Sequence, residues 1–269
     1  MPHPRARPFL PFPLDKGSIL PLLLGMLYLL PGRLDANGSF ERPFNPGDHF
    51  FYDVKWGVMK VGEAEMLVQR SEESEVGDLK FILLVRTTPW ADFLYKVRNR
   101  IESFTDEKVT QTLHYRKNQR EGGLHREIVI EVDWDKQSAQ YSNFGEPLDP
   151  IPIEPGCQDP YSILFAYRLH EKKIGQRIRI PVTDGKKTIM TEIEIVREEK
   201  VKVEAGRFDC VGVSADVKGL GGVFSKSENA AIDLWFSNDE HKIIVKMTSS
   251  VNVGKFRVEL RKYVLGKSA

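Results

Sequence analysis

The chain has 269 residues, 39 basic against 38 acidic side chains, and a formal charge of +1. A near-neutral, well-mixed surface excludes a nucleic-acid partner, which demands a basic face. The length suffices to bury a core without metals or a dense disulfide framework, and there are only two cysteines, Cys157 and Cys210.

The first feature along the chain is the apolar run Ile19 to Leu30, ILPLLLGMLYLL. Arg5, Arg7 and Lys16 precede it, and Asp35-Ala36-Asn37-Gly38 follows. Basic, then apolar, then small or polar is the order of a secretory signal peptide. The run is shorter than the roughly 20 apolar residues of a bilayer span. Residues 1–36 are therefore expected to be a signal peptide cut after Ala36, with Leu34 where Ala is usual. The alternative is an uncleaved anchor helix, interrupted at Pro21 and Gly25. No Cys follows the run, which argues against a lipoprotein anchor. Residues 37–269 are expected to form a single exported domain of charge −1 with no transmembrane span.

Nearly everything after residue 47 reads as β-strand. His49 to Trp56 places Tyr52, Val54 and Trp56 on one face, and Val61 to Arg70 places Ala64, Met66 and Val68 on one face. Such period-two alternation marks a half-buried strand. Further strands are predicted at Leu79–Thr87, Val97–Phe104, Lys108–Arg116, His125–Asp133 and Ser138–Asn143. Asn143 to Pro155 reads as a long loop. Strands resume at Arg177–Val182, Lys187–Val196, Val201–Glu204, Arg207–Val217, Ala231–Phe236, Lys242–Ser249 and Asn252–Val264. Turn residues at Asp184-Gly185, Ala205-Gly206 and Ser237-Asn238-Asp239 separate them.

One helix is predicted from Asp159 to Leu169. Asp159 is placed to cap it and Pro160 to occupy its first turn. Tyr161, Leu164, Phe165, Arg168 and Leu169 recur at helical spacing, and Gly175 stops it. A shorter candidate begins at Thr88-Pro89, with Trp90, Phe93, Leu94 and Val97 on one side. Short turns impose antiparallel pairing. About a dozen strands are too many for one flat sheet, which must curl. The expected fold is mainly β: a curled antiparallel sheet, a spiral roll or open barrel, wrapped around one main helix.

The sequence carries no signature of catalysis. No His pair has zinc spacing, no Gly-x-Ser-x-Gly elbow occurs, and Gly219-Leu220-Gly221-Gly222 lacks the Lys-Ser of a phosphate loop. No catalytic residue, metal or cofactor is therefore assigned. Asp133-Trp134-Asp135 and Asp239 are the carboxylates nearest in type to a glycosidase pair, and strand ends and turns explain them more simply. Cys157 and Cys210 are a candidate disulfide pair in an exporting compartment. Closing that loop would contribute about 4 kcal/mol in the chain-entropy model, and two buried free thiols are the alternative. Arg168, if it points inward, needs partners, because an unpaired buried charge is costly. Gly185 and Gly206 are assigned to turns.

Several segments resemble one family. They are Tyr52-x-Val54-x-Trp56 followed by Val61-Gly62; Gln158-Asp159-Pro160-Tyr161-Ser162; Ile180-Pro181-Val182 before Asp184-Gly185-Lys186; Gly206-x-Phe208; Leu234-Trp235-Phe236-Ser237-Asn238-Asp239; and Gly254-x-Phe256 through Leu260. In order and spacing these resemble the exported bacterial domain of unknown function DUF3108, over about residues 44–262. The resemblance implies a Gram-negative periplasmic or envelope location and a rolled sheet around a helix, and it implies no activity.

The expected function is a non-catalytic binding or carrier module of the cell envelope for a lipid or other apolar ligand. Such sites are concave and mostly apolar. The expected lining is Tyr52, Trp56, Trp90, Phe93, Phe165 and Trp235, with Arg168 beside it. The alternatives are an assembly factor that contacts envelope proteins and a polysaccharide hydrolase.

Overall fold

Alternating apolar and polar residues build a structure made almost wholly of strands. This computed structural model describes residues 33–34, 40–216, 231–251 and 254–267. Every described residue lies in the unit Pro31–Ala269. The expected signal core Ile19–Leu30 and the glycine-rich Gly219–Gly222 lie outside the described residues.

Strands β1 (Arg33–Leu34) and β2 (Phe40–Glu41) pair with each other. The next elements are β3 (His49–Trp56), β4 (Met59–Arg70), β5 (Leu79–Thr87), helix α1 (Pro89–Asp92), β6 (Val97–Thr105), β7 (Thr112–Glu121), β8 (Leu124–Asp133) and β9 (Ser138–Asn143). Short β10 (Glu146–Pro147) and β11 (Ile151–Pro152) precede helix α2 (Ile163–Arg168). The chain ends with β12 (Arg177–Thr183), β13 (Thr188–Val203), β14 (Gly206–Asp216), β15 (Ala231–Ser237), β16 (Ile244–Val251) and β17 (Gly254–Val264). Apart from β1 and β2, all strands join one 15-stranded sheet, ordered β10-β9-β8-β7-β6-β5-β4-β3-β17-β16-β15-β14-β13-β12, with β11 on β9. The last strand, β17, pairs with β3 near the start, and the sheet grows outward from that seam in both directions.

The sheet curls without closing into a barrel. Its β12 edge meets the opposite end through side chains and a connecting segment. Gln158 bridges Val182 of β12, while the N–H of Thr112 at the start of β7 donates to the Cys157 carbonyl. Thr188 Oγ1 donates to the Pro152 carbonyl at 3.2 Å, and Lys186 Nζ lies 4.2 Å from the centre of the Tyr141 ring.

The core lies on the inner face of this curl. Tyr161 and Phe165, from the segment around α2, pack into it. Phe165 stacks on Phe81 at 3.8 Å between centroids and meets Phe44 and Tyr161 edge-on at 5.3 and 5.6 Å. Two buried phenols are satisfied, Tyr52 donating to the Ile244 carbonyl and Tyr161 to that of Ile82, while the buried Tyr167 hydroxyl has no hydrogen-bond partner among the described residues.

The curled antiparallel sheet agrees with expectation, but the main helix does not. Helix α2 has six residues and α1 four, so the sheet is not wrapped around a helical axle. The cause lies at both ends of the segment. Gln158 is committed to the sheet, donating its N–H to Pro181 and accepting from Thr183. The next residue, Asp159, donates its N–H to Thr112 Oγ1. After Arg168 the last N–H groups reach carbonyls three residues back, from Leu169 to Ala166 and from His170 to Tyr167, which tightens and ends the helix.

Strand boundaries also move, and the segment expected as a long loop, Asn143–Pro155, carries β10 and β11, both paired with β9. The predicted Lys108–Arg116 strand is a turn followed by β7: Asp106 accepts from the N–H groups of Thr110 and Gln111, with Val109 at φ 53°. The predicted strands Lys187–Val196 and Val201–Glu204 form the single strand β13, with a bulge between Ile195 and Arg197. Cys157 and Cys210 are both buried and free, so the candidate disulfide is not formed. Each thiol turns to a local carbonyl, that of Gln158 and that of Phe208. Burial pushes both thiols up to about 12.

Candidate functional site

Antiparallel order places the β3–β4, β5–β6, β7–β8 and β16–β17 connections at one end of the sheet. Large apolar side chains are exposed at this rim, among them Val58, Met59, Trp90, Phe93, Leu94 and Tyr95. Phe93 retains 97% of its accessible surface and Val58 90%, values far from those of core residues.

Local hydrogen bonding fixes these side chains outward. Pro89 opens α1 after extended Thr88, and Ala91 is the residue that the single turn buries. Thr87 Oγ1 donates to Asp92 and accepts from the Val97 N–H, clamping the β5–β6 connection at its base. Arg98 pairs with Asp92 at 2.6 Å. Trp90 Nε1 donates to the Lys60 carbonyl at 3.1 Å, which ties α1 to the β3–β4 hairpin. The Tyr95 hydroxyl donates to the Glu121 carbonyl at 3.2 Å, and its ring covers Gly122, which ties the same loop to the β7–β8 turn. The exposed rim is thus continuous from β3 to β8.

Below the rim, burial deepens step by step along the inner face. Leu83, Ile101, Lys117 and Ile128 are successive cross-strand neighbours on β5 to β8. Across the seam, Val54, Val258 and Met247 form a second such row. All seven are half-buried, and the six apolar ones pack on the core. Two residues further along the strands, Tyr52, Phe81, Tyr115, Ile130 and Leu260 are buried. The inner face therefore presents accessible aliphatic surface at the rim end above a packed interior. Lys117 is the cation in the first row. Burial pulls its pKa down, Glu121 raises it and Arg126 lowers it.

The residues expected to line one cavity separate into three groups. Tyr52 and Phe165 fill the core, with Arg168 buried beside them. Trp56, Trp90 and Phe93 are exposed at the rim, where the Trp56 ring covers Gly254. Trp235 follows inward Leu234 on β15, so alternation turns it outward. There it is clamped between Arg197 and Lys246, and its indole N–H donates to Glu199 at 2.5 Å. Its groove, about 540 Å³, is open and of mixed polarity, and the ring itself is buried beneath these side chains.

Asp159 is fully buried and accepts from the Ser103 and Thr112 hydroxyls and from the N–H groups of Tyr161 and Ser162. Burial raises its pKa against the pull of these donors. Pro160 follows it at the surface. Gly185 and Gly206 occupy the β12–β13 and β13–β14 turns at φ 79° and 140°. The carboxylates considered for glycoside hydrolysis are engaged locally: Asp133 pairs with Lys136 at 2.7 Å, and Asp239 caps its own turn at the His241 and Lys242 N–H groups. A second open groove, about 680 Å³ and lined by Asp133, Trp134 and Asp135, is also polar.

Sequence reading missed Val58, Met59, Tyr95 and Lys117 as site residues. The first two sit in a hairpin tip, where apolar residues have no periodicity to break. Lys117 lay beyond the predicted end of its strand.

Among the described residues no helix is long and apolar enough to cross a membrane. No curated protein matches the chain. Among solved structures, a β-barrel-like protein of the domain of unknown function DUF1849 from Brucella abortus shares the fold. It is 11% identical, with a TM-score of 0.53, over 82% of this chain and 98% of that one. A hypothetical protein from Chlamydia trachomatis aligns at a TM-score of 0.37 and 8% identity, over 84% of this chain and 90% of that one. A protein with a YmcC-like fold from Bacteroides fragilis aligns at 0.32 and 9%, over 84% and 99%. Residues 52–261 match the family described as Protein of unknown function (DUF3108), and the chain belongs to that family.

Proposed function

We propose that the protein is an exported, non-catalytic binding or carrier module of the cell envelope that takes an apolar ligand at the rim end of its sheet. The observation that carries this reading is the gradient on the inner face: exposed aromatic and aliphatic side chains at the rim, half-buried aliphatic rows beneath them, and a packed core below. Small apolar ligands are held by concave, largely aliphatic surfaces of this kind, and a continuous exposed apolar patch marks an interaction site. Export rests on the signal-like order of charges around Ile19–Leu30.

Native mass spectrometry of the protein, expressed as the full chain and purified without detergent, tests the proposal. A retained lipid-sized adduct is expected, with reduced occupancy in the double variant Phe93→Ser, Leu94→Ser. Absence of any adduct after incubation with total envelope lipid extract would sink it. A photo-crosslinking residue at position 93 separates the alternative: capture of a polypeptide with no lipid adduct would favour the assembly-factor reading.

A further inference from the structure

We propose that Lys117 is the anion anchor of this site, and that the ligand is a fatty carboxylate whose chain lies along the inner-face aliphatic rows. This deepens the carrier reading and rests on it. Three observations carry it.

The first is placement. Lys117 alternates with Tyr115 and Gln119 on β7, both buried, so it points to the inner face. Its direct cross-strand neighbours there are Ile101 and Ile128. A lysine between two isoleucines on a concave apolar face costs stability unless something offsets its desolvation.

The second is the contrast with the other half-buried lysines of the sheet, of which Lys246 lies on the outer face 4.5 Å from the centre of the Trp235 ring and the rest have carboxylates. Lys55 has Glu259 at 2.7 Å, Lys60 has Asp53 at 2.8 Å and Lys80 has Glu102 at 3.3 Å. Among the described residues no carboxylate lies within 4 Å of Lys117, and it makes no hydrogen bond. Glu121, the nearest acid by its effect, is held by Asn99 Nδ2 at 2.6 Å. The inner face thus offers a cation without supplying its counter-ion.

The third is charge count. Lys117 is the one cation in its row, and Arg126 stands one step nearer the rim and is exposed. A single cation matches a monoanionic carboxylate better than a dianionic phosphomonoester. The aliphatic rows supply contact for one chain.

The test compares a fluorescent polyene fatty acid with its methyl ester, two probes that differ in charge and share a chain. The wild-type protein is expected to bind the acid about tenfold more tightly than the ester. Lys117→Met should abolish that preference and keep ester binding, while Lys117→Arg should preserve it. Equal wild-type affinities for acid and ester would overturn the assignment of Lys117 and leave the carrier reading standing. Binding of neither probe would overturn both. The wild-type comparison needs no variant, so a folding defect in Lys117→Met cannot obscure the outcome.

Discussion

The guanidinium carbon of Arg168 stands 4.9 Å from the centre of the Phe44 ring, and backbone carbonyls, not a carboxylate, receive its hydrogen bonds. Phe50 and Phe165 complete an aromatic surround at 5.6 Å each, and Nη2 donates to the carbonyls of Pro43 and His241 at 2.9 and 2.7 Å. Burial pushes its pKa down to about 10, with Asp48 opposing, so the group stays charged at neutral pH. One guanidinium nitrogen joins the segment before β3 to the β15–β16 turn, across the end of α2.

Arg168→Lys should therefore be far from conservative. A lysine has no planar guanidinium to stack among the three rings while one nitrogen, Nη2, reaches both carbonyls. Leaving a buried acceptor without a donor costs about 1–3 kcal/mol. We expect Arg168→Lys to lower unfolding stability by about 2 kcal/mol, read from denaturant titration. A loss below about 0.5 kcal/mol, the usual range for a surface change, would show that the bridge is dispensable.

Asp159 holds the start of the α2 segment to β6 and β7. Its carboxylate collects four donors from three parts of the chain. Asp159→Ala leaves buried hydroxyls and N–H groups unmatched and should cost about 3 kcal/mol or more. Asp159→Asn keeps one acceptor oxygen but turns an NH₂ toward groups that already donate, so it should fall between wild type and Ala. Equilibrium unfolding of the three proteins checks the order, and indistinguishable Asn and Ala variants would contradict it.

The fold was legible wherever alternation was unbroken. His49–Trp56 is apolar and aromatic at period two, and β3 has those limits. The helix was over-read because Tyr161, Leu164, Phe165, Arg168 and Leu169 have helical spacing, whereas the hydrogen bonds that tie Gln158 and Asp159 to distant strands leave no mark in the local sequence. The site was half legible. Trp90 and Phe93 were picked out as aromatics, but spacing does not say which face of a short helix meets solvent, and small Ala91 is the residue that goes inside. Lys117 was invisible because Lys117, Gln119 and Glu121 put polar side chains on the inward positions and so erase the period that marks a strand.

Gly185 reports on how the curled sheet brings its two ends together. It has φ 79°, and a Cβ there would stand 3.0 Å from Ile130 Cγ1 and from Tyr141 Cβ, on β8 and β9. Only glycine accepts that conformation without strain, and only glycine lets the β12–β13 turn approach so closely. Gly185→Ala should destabilise by about 2 kcal/mol, from left-handed strain and overpacking together. Hydrogen exchange should quicken at β12 and β9 with little change at the β3–β17 seam. Uniform acceleration across the sheet would argue against a local joint.

Exposure at the rim should be free of structural cost. Phe93 packs on nothing that holds the fold, so Phe93→Ser should shift the melting temperature by less than the roughly 2 °C that accompanies 1 kcal/mol in a chain of this size. A larger drop would mean that Phe93 serves stability, and the rim would lose its best evidence of being kept for binding.

Lys172 gives the pH dependence its sign. Its ammonium lies 5.2 Å from the centre of the Tyr167 ring and 5.0 Å from that of Phe236, with no hydrogen-bond partner for Nζ. Burial lowers its pKa to about 6 from the ordinary 10.5; Lys242 and Arg168 add to the fall and Asp239 opposes it. The two ring faces favour the charged form, so desolvation and like charge outweigh them. A folded value below the unfolded one means the fold binds this proton less readily than the open chain does. The corresponding stability is fully present above pH 10.5 and is lost progressively as pH falls through about 6. Lys172→Met should therefore melt higher than wild type at pH 7, with a gain that grows toward pH 6 and vanishes above 10.5. Melting temperatures across that range decide the matter. A Met variant less stable than wild type at pH 7 would show that attraction to the Tyr167 and Phe236 rings is the stronger effect.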